Sequence, residues 1–94
     1  MAYNRLSMHK TRIENTDNVM QVIYRNTAIV SVDNSSGNIT LNSGGYKSVT
    51  TKRKMNQASR QFNLGYSVFQ KNFIWYVTYD GETMKFYDGM ILEV

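Results

Sequence analysis

The chain has 94 residues and no internal repeat, which is the size of a single domain with a modest core. Cysteine is absent, which excludes disulfide bonds, a thiolate zinc site and a cysteine nucleophile. A hydrophobic content of 41% and a net charge of +4 are typical of a folded, soluble, mildly basic domain, and no run of about 18 apolar residues predicts a transmembrane helix.

The N-terminal segment, residues 1–18, is polar and carries only weak signals for regular structure. We therefore divide the chain into this segment and one α+β domain, residues 19–94. The segment could be a disordered leader, or a basic arm that folds onto a polyanion.

Short runs rich in β-branched residues predict an antiparallel meander at the start of the domain. Residues 20–26 and 27–33 are predicted strands, because the second run alternates between apolar and polar residues. The turn sequence "NSSGN" follows them, and a third strand through Ile39 and Leu41 ends at the glycine pair Gly44 and Gly45. We expect the glycines to form a sharp turn.

One helix is predicted, over residues 50–62. Asn63 and Gly65 follow it and are typical of residues that end a helix. Four side chains recur at helical spacing and are expected to pack on the sheet: Thr51, Met55, Ala58 and Phe62.

The C-terminal part again predicts strands, separated by turns at residues 71–72, 80–82 and 88–89. Proline is absent, so none of these strands is interrupted. The predicted fold class is α+β: a strongly twisted antiparallel sheet of about six short strands with one helix near residues 50–62. An open curved sheet and a barrel-like closure both fit the pattern.

Charge is distributed unevenly along the chain. No Asp or Glu occurs in residues 34–79, whereas six cations do: Lys47, Lys52, Arg53, Lys54, Arg60 and Lys71. A stretch of one sign produces a positive field that attracts nucleic acid or an acidic protein surface. A solvated basic surface that only keeps the protein soluble explains the same pattern.

Three of these cations, Lys52, Arg53 and Lys54, occupy the first turn of the predicted helix. Cations there oppose the helix dipole at a cost of about 0.3 to 1 kcal/mol each. An anion bound at the helix start, such as a phosphate or a carboxylate, would remove this conflict. Alternatively, the three flexible side chains extend into water.

Aromatic residues are concentrated in the same region. With a turn at residues 71–72, Phe69 faces Ile74 and Val68 faces Trp75 across a hairpin whose two faces are both apolar. Exposed aromatics among Lys and Arg suit base stacking or a protein interface. A small domain also needs such side chains to fill its core, which is the alternative role for most of them.

Catalysis has little support in the sequence. His9 is the only histidine and lies in the polar segment, and no group of residues has metal-ligand spacing. The nucleotide-binding spacing of a P-loop is missing around Gly44 and Gly45. We expect a protein without enzymatic activity, cofactor or metal.

Several motifs resemble a group of small phage proteins: a Gly-Gly-aromatic turn, a Thr-Thr-Lys helix start with a downstream Asn, and a V-x-Q-K-x-x-x-W-Y-V hairpin. The resemblance covers roughly residues 20–92, with Tyr46 where such proteins usually have Trp. The matching positions are Gly44, Gly45, Tyr46, Thr50, Thr51, Lys52, Asn56, Val68, Gln70, Trp75 and Tyr76. The resemblance implies phage origin and action in the host cytoplasm, and it carries over no catalytic residue or cofactor.

Three functions are consistent with phage origin and a basic surface. The first is nucleic-acid binding through the outer face of the helix. The second is inhibition of a host protein that handles nucleic acid or defends against phage, for example of the CRISPR type. The third is a minor virion or assembly component. The candidate residues for nucleic-acid or partner binding are Lys47, Lys52, Arg53, Lys54, Asn56, Arg60, Lys71, Tyr46, Tyr66 and Tyr76.

Overall fold

A computed structural model describes residues 9–94 of the chain. Within them, eight strands and one helix form an α+β fold, as predicted, with more strands than the six expected. In chain order the elements are β1 Thr11–Asn15, β2 Val19–Tyr24, β3 Thr27–Asp33, β4 Ile39–Leu41, α1 Val49–Gln61, β5 Tyr66–Lys71, β6 Ile74–Tyr79, β7 Glu82–Lys85 and β8 Met90–Leu92.

The strands divide into two antiparallel sheets. The larger sheet has the order β1-β2-β3-β4-β8 and the smaller sheet the order β5-β6-β7. Each sheet ends in two different edge strands, so residues 9–94 contain no closed barrel. The strand β1 lies inside the N-terminal polar segment of the sequence and pairs with β2, with Ile13 opposite Val22. Residues 1–8 of that segment lie outside the described residues.

The helix begins with Val49, one residue earlier than predicted. Ser48 is the N-cap, and its hydroxyl accepts a hydrogen bond from the Thr51 N–H at 3.1 Å. At the other end Asn63 has a positive φ of 59°, which stops the helix where the sequence predicted. Thr51, Met55 and Ala58 are buried as expected.

The helix contacts both sheets, through β5 and β3. Its buried side chains join one apolar core with the inner faces of the sheets. The fully buried large side chains of this core are Ile29, Leu41, Met55, Met90, Leu92, Val22, Val30 and Val77. No helix among the described residues is long and apolar enough to cross a membrane.

The β5–β6 hairpin differs from its prediction in register. The turn residues are Asn72 and Phe73, with φ of 53° and 65°, rather than residues 71–72. Phe69 therefore lies opposite Tyr76 instead of Ile74. Trp75 lies opposite Gln70 instead of Val68.

The helix explains this register. Residues next to a two-residue turn form a hydrogen-bonded pair, and such pairs alternate along the hairpin. Lys71 and Ile74 form that pair, so the backbone groups of Tyr66 and Val68 point away from β6 and toward the helix. The predicted register would have turned them toward β6, where helix side chains could not reach them.

The predicted turn at residues 88–89 does not return the chain beside β7. Instead β8 crosses to the larger sheet and pairs with β4, with Leu41 opposite Met90. Asp88 secures this crossing, because its carboxylate accepts hydrogen bonds from the Ser43 N–H and hydroxyl, both at 2.7 Å. The crossing is what divides the strands into two sheets.

Candidate functional site

Three of the predicted binding residues hold the fold together. Tyr66 is 3% exposed, and its hydroxyl donates a hydrogen bond to the Met55 carbonyl at 2.6 Å. Burial raises the pKa of Tyr66, so it is a neutral donor inside the protein. A side chain in this position cannot stack on a base.

Asn56 is the second structural residue. Its side-chain amide donates to the Val68 carbonyl at 2.8 Å and accepts from the Val68 N–H at 2.7 Å. Ser59 does the same for Tyr66, donating to its carbonyl at 2.6 Å and accepting from its N–H at 3.1 Å. The two helix side chains thus occupy the free edge of β5, where another strand could otherwise add. We name this contact the β5 clamp.

Lys54 is the third. It is 3% exposed, and its Nζ lies 5.1 Å from the centre of the Tyr24 ring. Burial lowers the pKa of Lys54, and the electrostatic interaction with Tyr24 raises it by a smaller amount. This lysine faces the protein, so the structure does not place it on an outer binding surface.

The conflict predicted at the helix start is smaller than the sequence suggested. With Ser48 as N-cap, the first three helical residues are Val49, Thr50 and Thr51, and none of them is charged. Lys52 and Arg53 come fourth and fifth, beyond the first turn in which the dipole acts most strongly. The argument for an anion at this position therefore loses its basis in the helix dipole.

The remaining cations of this region form an outward surface, which we name the basic helix face: Lys47, Lys52, Arg53 and Arg60. All but the half-buried Lys52 are exposed. Among residues 9–94, neither Lys52 nor Arg53 forms an ion pair. Lys47 differs, because its Nζ lies 5.8 Å from the centre of the Phe86 ring and its charge acts on Asp88.

Asp88 is a carboxylate that interacts electrostatically with Lys47 of the basic helix face. Partial burial by itself raises the pKa of Asp88, but hydrogen bonds from Ser43 and Gly45 and the charge of Lys47 outweigh it and lower the pKa. The carboxylate is therefore ionised at neutral pH and offsets part of the Lys47 charge. Lys52, Arg53 and Arg60 are the stronger candidates for phosphate contacts.

A second surface was only partly recognised from the sequence. We name it the outer sheet face, which consists of the side chains of the smaller sheet that point away from the core: Ser67, Phe69, Lys71, Ile74, Tyr76, Thr78, Thr83 and Lys85. Tyr76 and Lys71 were predicted binding residues, whereas Phe69, Ile74 and Lys85 were not assigned to a site. Lys85 could have been found from strand alternation, had the pairing of β7 with β6 been known.

The two surfaces adjoin at the β5 clamp. Arg53 precedes Asn56 by three residues and Arg60 follows it by four, so all three lie on one side of the helix. Because Asn56 bonds to β5, these arginines lie along the edge of the smaller sheet. The side of the helix that carries these arginines is thus the side that docks on β5 through Asn56.

A cleft of about 610 Å³ lies between the β2–β3 turn and the loop that leads into the helix. Gly44 turns this loop with a φ of 68°, and a Cβ added there would lie 2.6 Å from the Thr27 hydroxyl. The turn predicted at Gly44 and Gly45 is thus confirmed. Tyr46, a predicted stacking residue, is 80% exposed beside the cleft, and Arg25 contributes a further cation to its wall.

No group of three or more His, Asp or Glu side chains within residues 9–94 is arranged to hold a metal ion. His9 contributes its backbone carbonyl, which accepts a hydrogen bond from the Thr11 hydroxyl at 2.7 Å.

The fold defines a small α+β protein in which one helix joins a five-stranded and a three-stranded antiparallel sheet. A family model described as Kyanoviridae Gp96 protein matches residues 2–93. The chain belongs to this family of phage proteins, which is consistent with the small phage protein expected from the sequence. No curated protein and no solved structure matches the chain.

Proposed function

We propose that this phage protein has no enzymatic activity and binds nucleic acid in the host cytoplasm through the basic helix face. One observation carries the proposal. Lys52, Arg53 and Arg60 project from one helix that lies in a stretch of sequence without Asp or Glu. Such a surface offers several cations to a polyanion.

The physical basis of binding is the displacement of counterions from phosphates. Each phosphate that a Lys or Arg neutralises contributes about 0.9 to the salt dependence of the association constant on duplex DNA, and about 0.7 on a single strand. The number of contacts can therefore be read from the slope of log K against log salt concentration. Cations that only keep the protein soluble give no such slope, because they make no complex.

The test compares wild type with Lys52→Gln/Arg53→Gln by fluorescence anisotropy, using labelled single-stranded and duplex oligonucleotides over a salt series. We expect weaker binding by the variant and a slope shallower by about 0.7 to 0.9 for each lost contact. Lys10→Gln/Arg12→Gln is the comparison variant, because it removes the same formal charge on and beside β1 of the larger sheet, where Arg12 pairs with Glu14 at 2.7 Å. No binding by wild type at low salt refutes the proposal. Equal losses in the two variants refute the assignment to the helix.

A second candidate function is inhibition of a host protein that handles nucleic acid or defends against phage. It is favoured by Phe73, which is 94% exposed at the tip of the β5–β6 hairpin. A protruding aromatic side chain on a two-residue turn is suited to fill a pocket on a partner protein. Capture of a host protein that survives nuclease treatment and is lost in Phe73→Ser supports this function. Capture that nuclease abolishes contradicts it.

A further inference from the structure

We propose that the outer sheet face is a base-stacking platform for single-stranded nucleic acid. This inference rests on the proposed function and specifies both the class of nucleic acid and the residues that contact its bases. In this inference the bases contact the smaller sheet, and the phosphates contact the arginines of the helix.

The platform is built from cross-strand rows. Phe69 on β5, Tyr76 on β6 and Lys85 on β7 lie directly opposite one another and form the central row. The Phe69 and Tyr76 rings stack with centres 5.6 Å apart and planes at 23°. Each ring thus covers part of one face of the other, which leaves the outer faces of the stacked pair for a further ring, and Lys85 places an ammonium group at the end of the row.

The neighbouring rows extend this arrangement in both directions. Lys71 and Ile74 form the row nearest the hairpin tip. On the other side Thr78 lies opposite Thr83, with their hydroxyls 3.3 Å apart. Residues two apart on a strand are separated by about 6.8 Å, so the rows provide successive places for bases along one direction of the sheet.

The face carries apolar side chains that remain partly accessible to solvent. Phe69 is 37% exposed, Ile74 is 38% exposed and Tyr76 is half-buried, whereas Val68, Trp75 and Val77 on the opposite face are buried. Since the helix and the larger sheet cover the inner face, no described element is left to cover the outer one. An open aromatic surface of this kind usually has a partner.

The positive charges of the platform favour a negatively charged ligand. Lys71 and Lys85 frame the aromatic pair, and the platform carries no carboxylate among its described side chains. Glu82 belongs to the same sheet but lies opposite Tyr79, on the alternate face. Arg53 and Arg60 lie on the side of the helix whose Asn56 bonds to β5, the edge strand of the platform. A ligand with flat apolar groups and regularly spaced negative charges complements this surface, and single-stranded nucleic acid has both properties.

Duplex nucleic acid fits the platform poorly, because its bases are stacked on one another and present only their edges. A four-stranded antiparallel sheet with exposed aromatics stacks two or three unpaired bases in a common RNA-binding module. The smaller sheet has three strands and two such rings. We therefore expect contact with about two bases, with little dependence on their identity, since every base has a stacking face.

The platform is also supported by contacts at its edge and beneath it. The β5 clamp fixes one edge of the sheet, and the two-residue turn fixes the register of β5 against β6. Beneath it, Trp75 and Phe86 contact edge to face with ring centres 5.3 Å apart. A surface held in this way loses little conformational entropy on binding.

The test uses fluorescein-labelled oligothymidylate and oligouridylate, with a mixed-sequence duplex for comparison, and anisotropy over a salt series. Phe69→Leu and Tyr76→Leu remove rings while keeping apolar side chains. Loss of one stacked ring is expected to weaken single-strand binding roughly 5- to 150-fold without changing the salt slope, because no phosphate contact is lost. Tyr87→Leu is the matched control, because Tyr87 is 62% exposed and lies outside the platform.

A second readout does not depend on loss of function. Phe69→Trp places an indole on the platform, where a stacking base should quench its fluorescence as single strands bind. Thermal unfolding of each variant verifies that it is folded before binding is measured. Quenching by single strands but not by the duplex supports the platform.

The outcomes separate this inference from the function on which it rests. Single-strand binding that is weakened in both platform variants, with Tyr87→Leu unchanged, supports the platform. Platform variants that bind like Tyr87→Leu refute it, while a salt slope that depends on Lys52 and Arg53 leaves the proposed function standing. A preference of wild type for duplex likewise refutes the platform alone. No binding to any oligonucleotide refutes both.

Discussion

Removing half of the β5 clamp tests the central structural argument, because Asn56 joins the helix to the backbone of the edge strand in the observed hairpin register. Asn56→Ala deletes the two hydrogen bonds to the Val68 backbone, of 2.8 and 2.7 Å. The Val68 N–H and carbonyl then lose their partners at a partly buried sheet edge. Leaving a buried donor or acceptor unpaired costs about 1 to 3 kcal/mol.

Two opposing contributions set the expected magnitude. Partial access of water at this edge keeps the cost for the two groups together to about 2 to 4 kcal/mol. Alanine is a better helix former than asparagine, which returns about 0.6 kcal/mol. We expect Asn56→Ala to lower the free energy of unfolding by about 1.5 to 3.5 kcal/mol.

Urea denaturation followed by Trp75 fluorescence measures this change, because Trp75 is buried in the smaller sheet. Asn34→Ala is the matched control, since Asn34 donates one exposed hydrogen bond, to the Thr16 carbonyl at 3.2 Å. That control should lose less than about 1 kcal/mol. Equal losses in the two variants would refute the clamp as the feature that holds the helix on β5.

Three further predictions follow from the loop and core contacts. The lowered pKa of Asp88 means that its stabilising contribution is fully present above the ordinary value of 3.8 and is lost as pH falls through the lower folded-state value. Asp88→Asn should therefore flatten the acid limb of a stability profile and cost about 1 kcal/mol at neutral pH, measured by thermal unfolding. Gly44→Ala should destabilise by about 1 to 3 kcal/mol in urea denaturation, because its φ is positive and the new Cβ meets Thr27. Lys54→Met should leave nucleic-acid affinity unchanged in the anisotropy assay, since Lys54 is buried; a marked loss of affinity would contradict that placement.

The two proposed surfaces contact different parts of a nucleic acid, so variants of the basic helix face and of the outer sheet face should behave differently. Arginines beside the β5 clamp respond to the number of phosphates, so their removal changes the salt dependence of binding. Rings on the outer sheet face respond to unpaired bases, so their removal changes affinity at every salt concentration. A single strand that crosses the β5 edge could satisfy both, with its backbone along Arg53 and Arg60 and its bases on Phe69 and Tyr76.

Local patterns in the sequence were sufficient for most element types, although they did not predict β1 in the polar N-terminal segment. Alternating residues identified most of the strands, and the spacing of Thr51, Met55 and Ala58 identified the buried side of the helix. Asn63 and the glycine pair marked the helix end and the turn before it. These features depend on backbone geometry and on neighbours within a few residues, so they can be predicted without knowledge of the fold. Membership of a phage protein family agrees with the phage origin expected from the sequence.

Long-range pairing was decided only by the tertiary structure. The sequence gives no local reason for β8 to pair with β4 rather than β7, since the hydrogen bonds from Ser43 to Asp88 join residues far apart in the chain. Lys54, Asn56 and Tyr66 were predicted binding residues, but all three have partners inside the protein. Lys85 is a candidate binding residue only because the pairing of β7 with β6 places it opposite Tyr76. Composition determines which chemical groups a protein has, whereas packing determines which of them remain available at the surface.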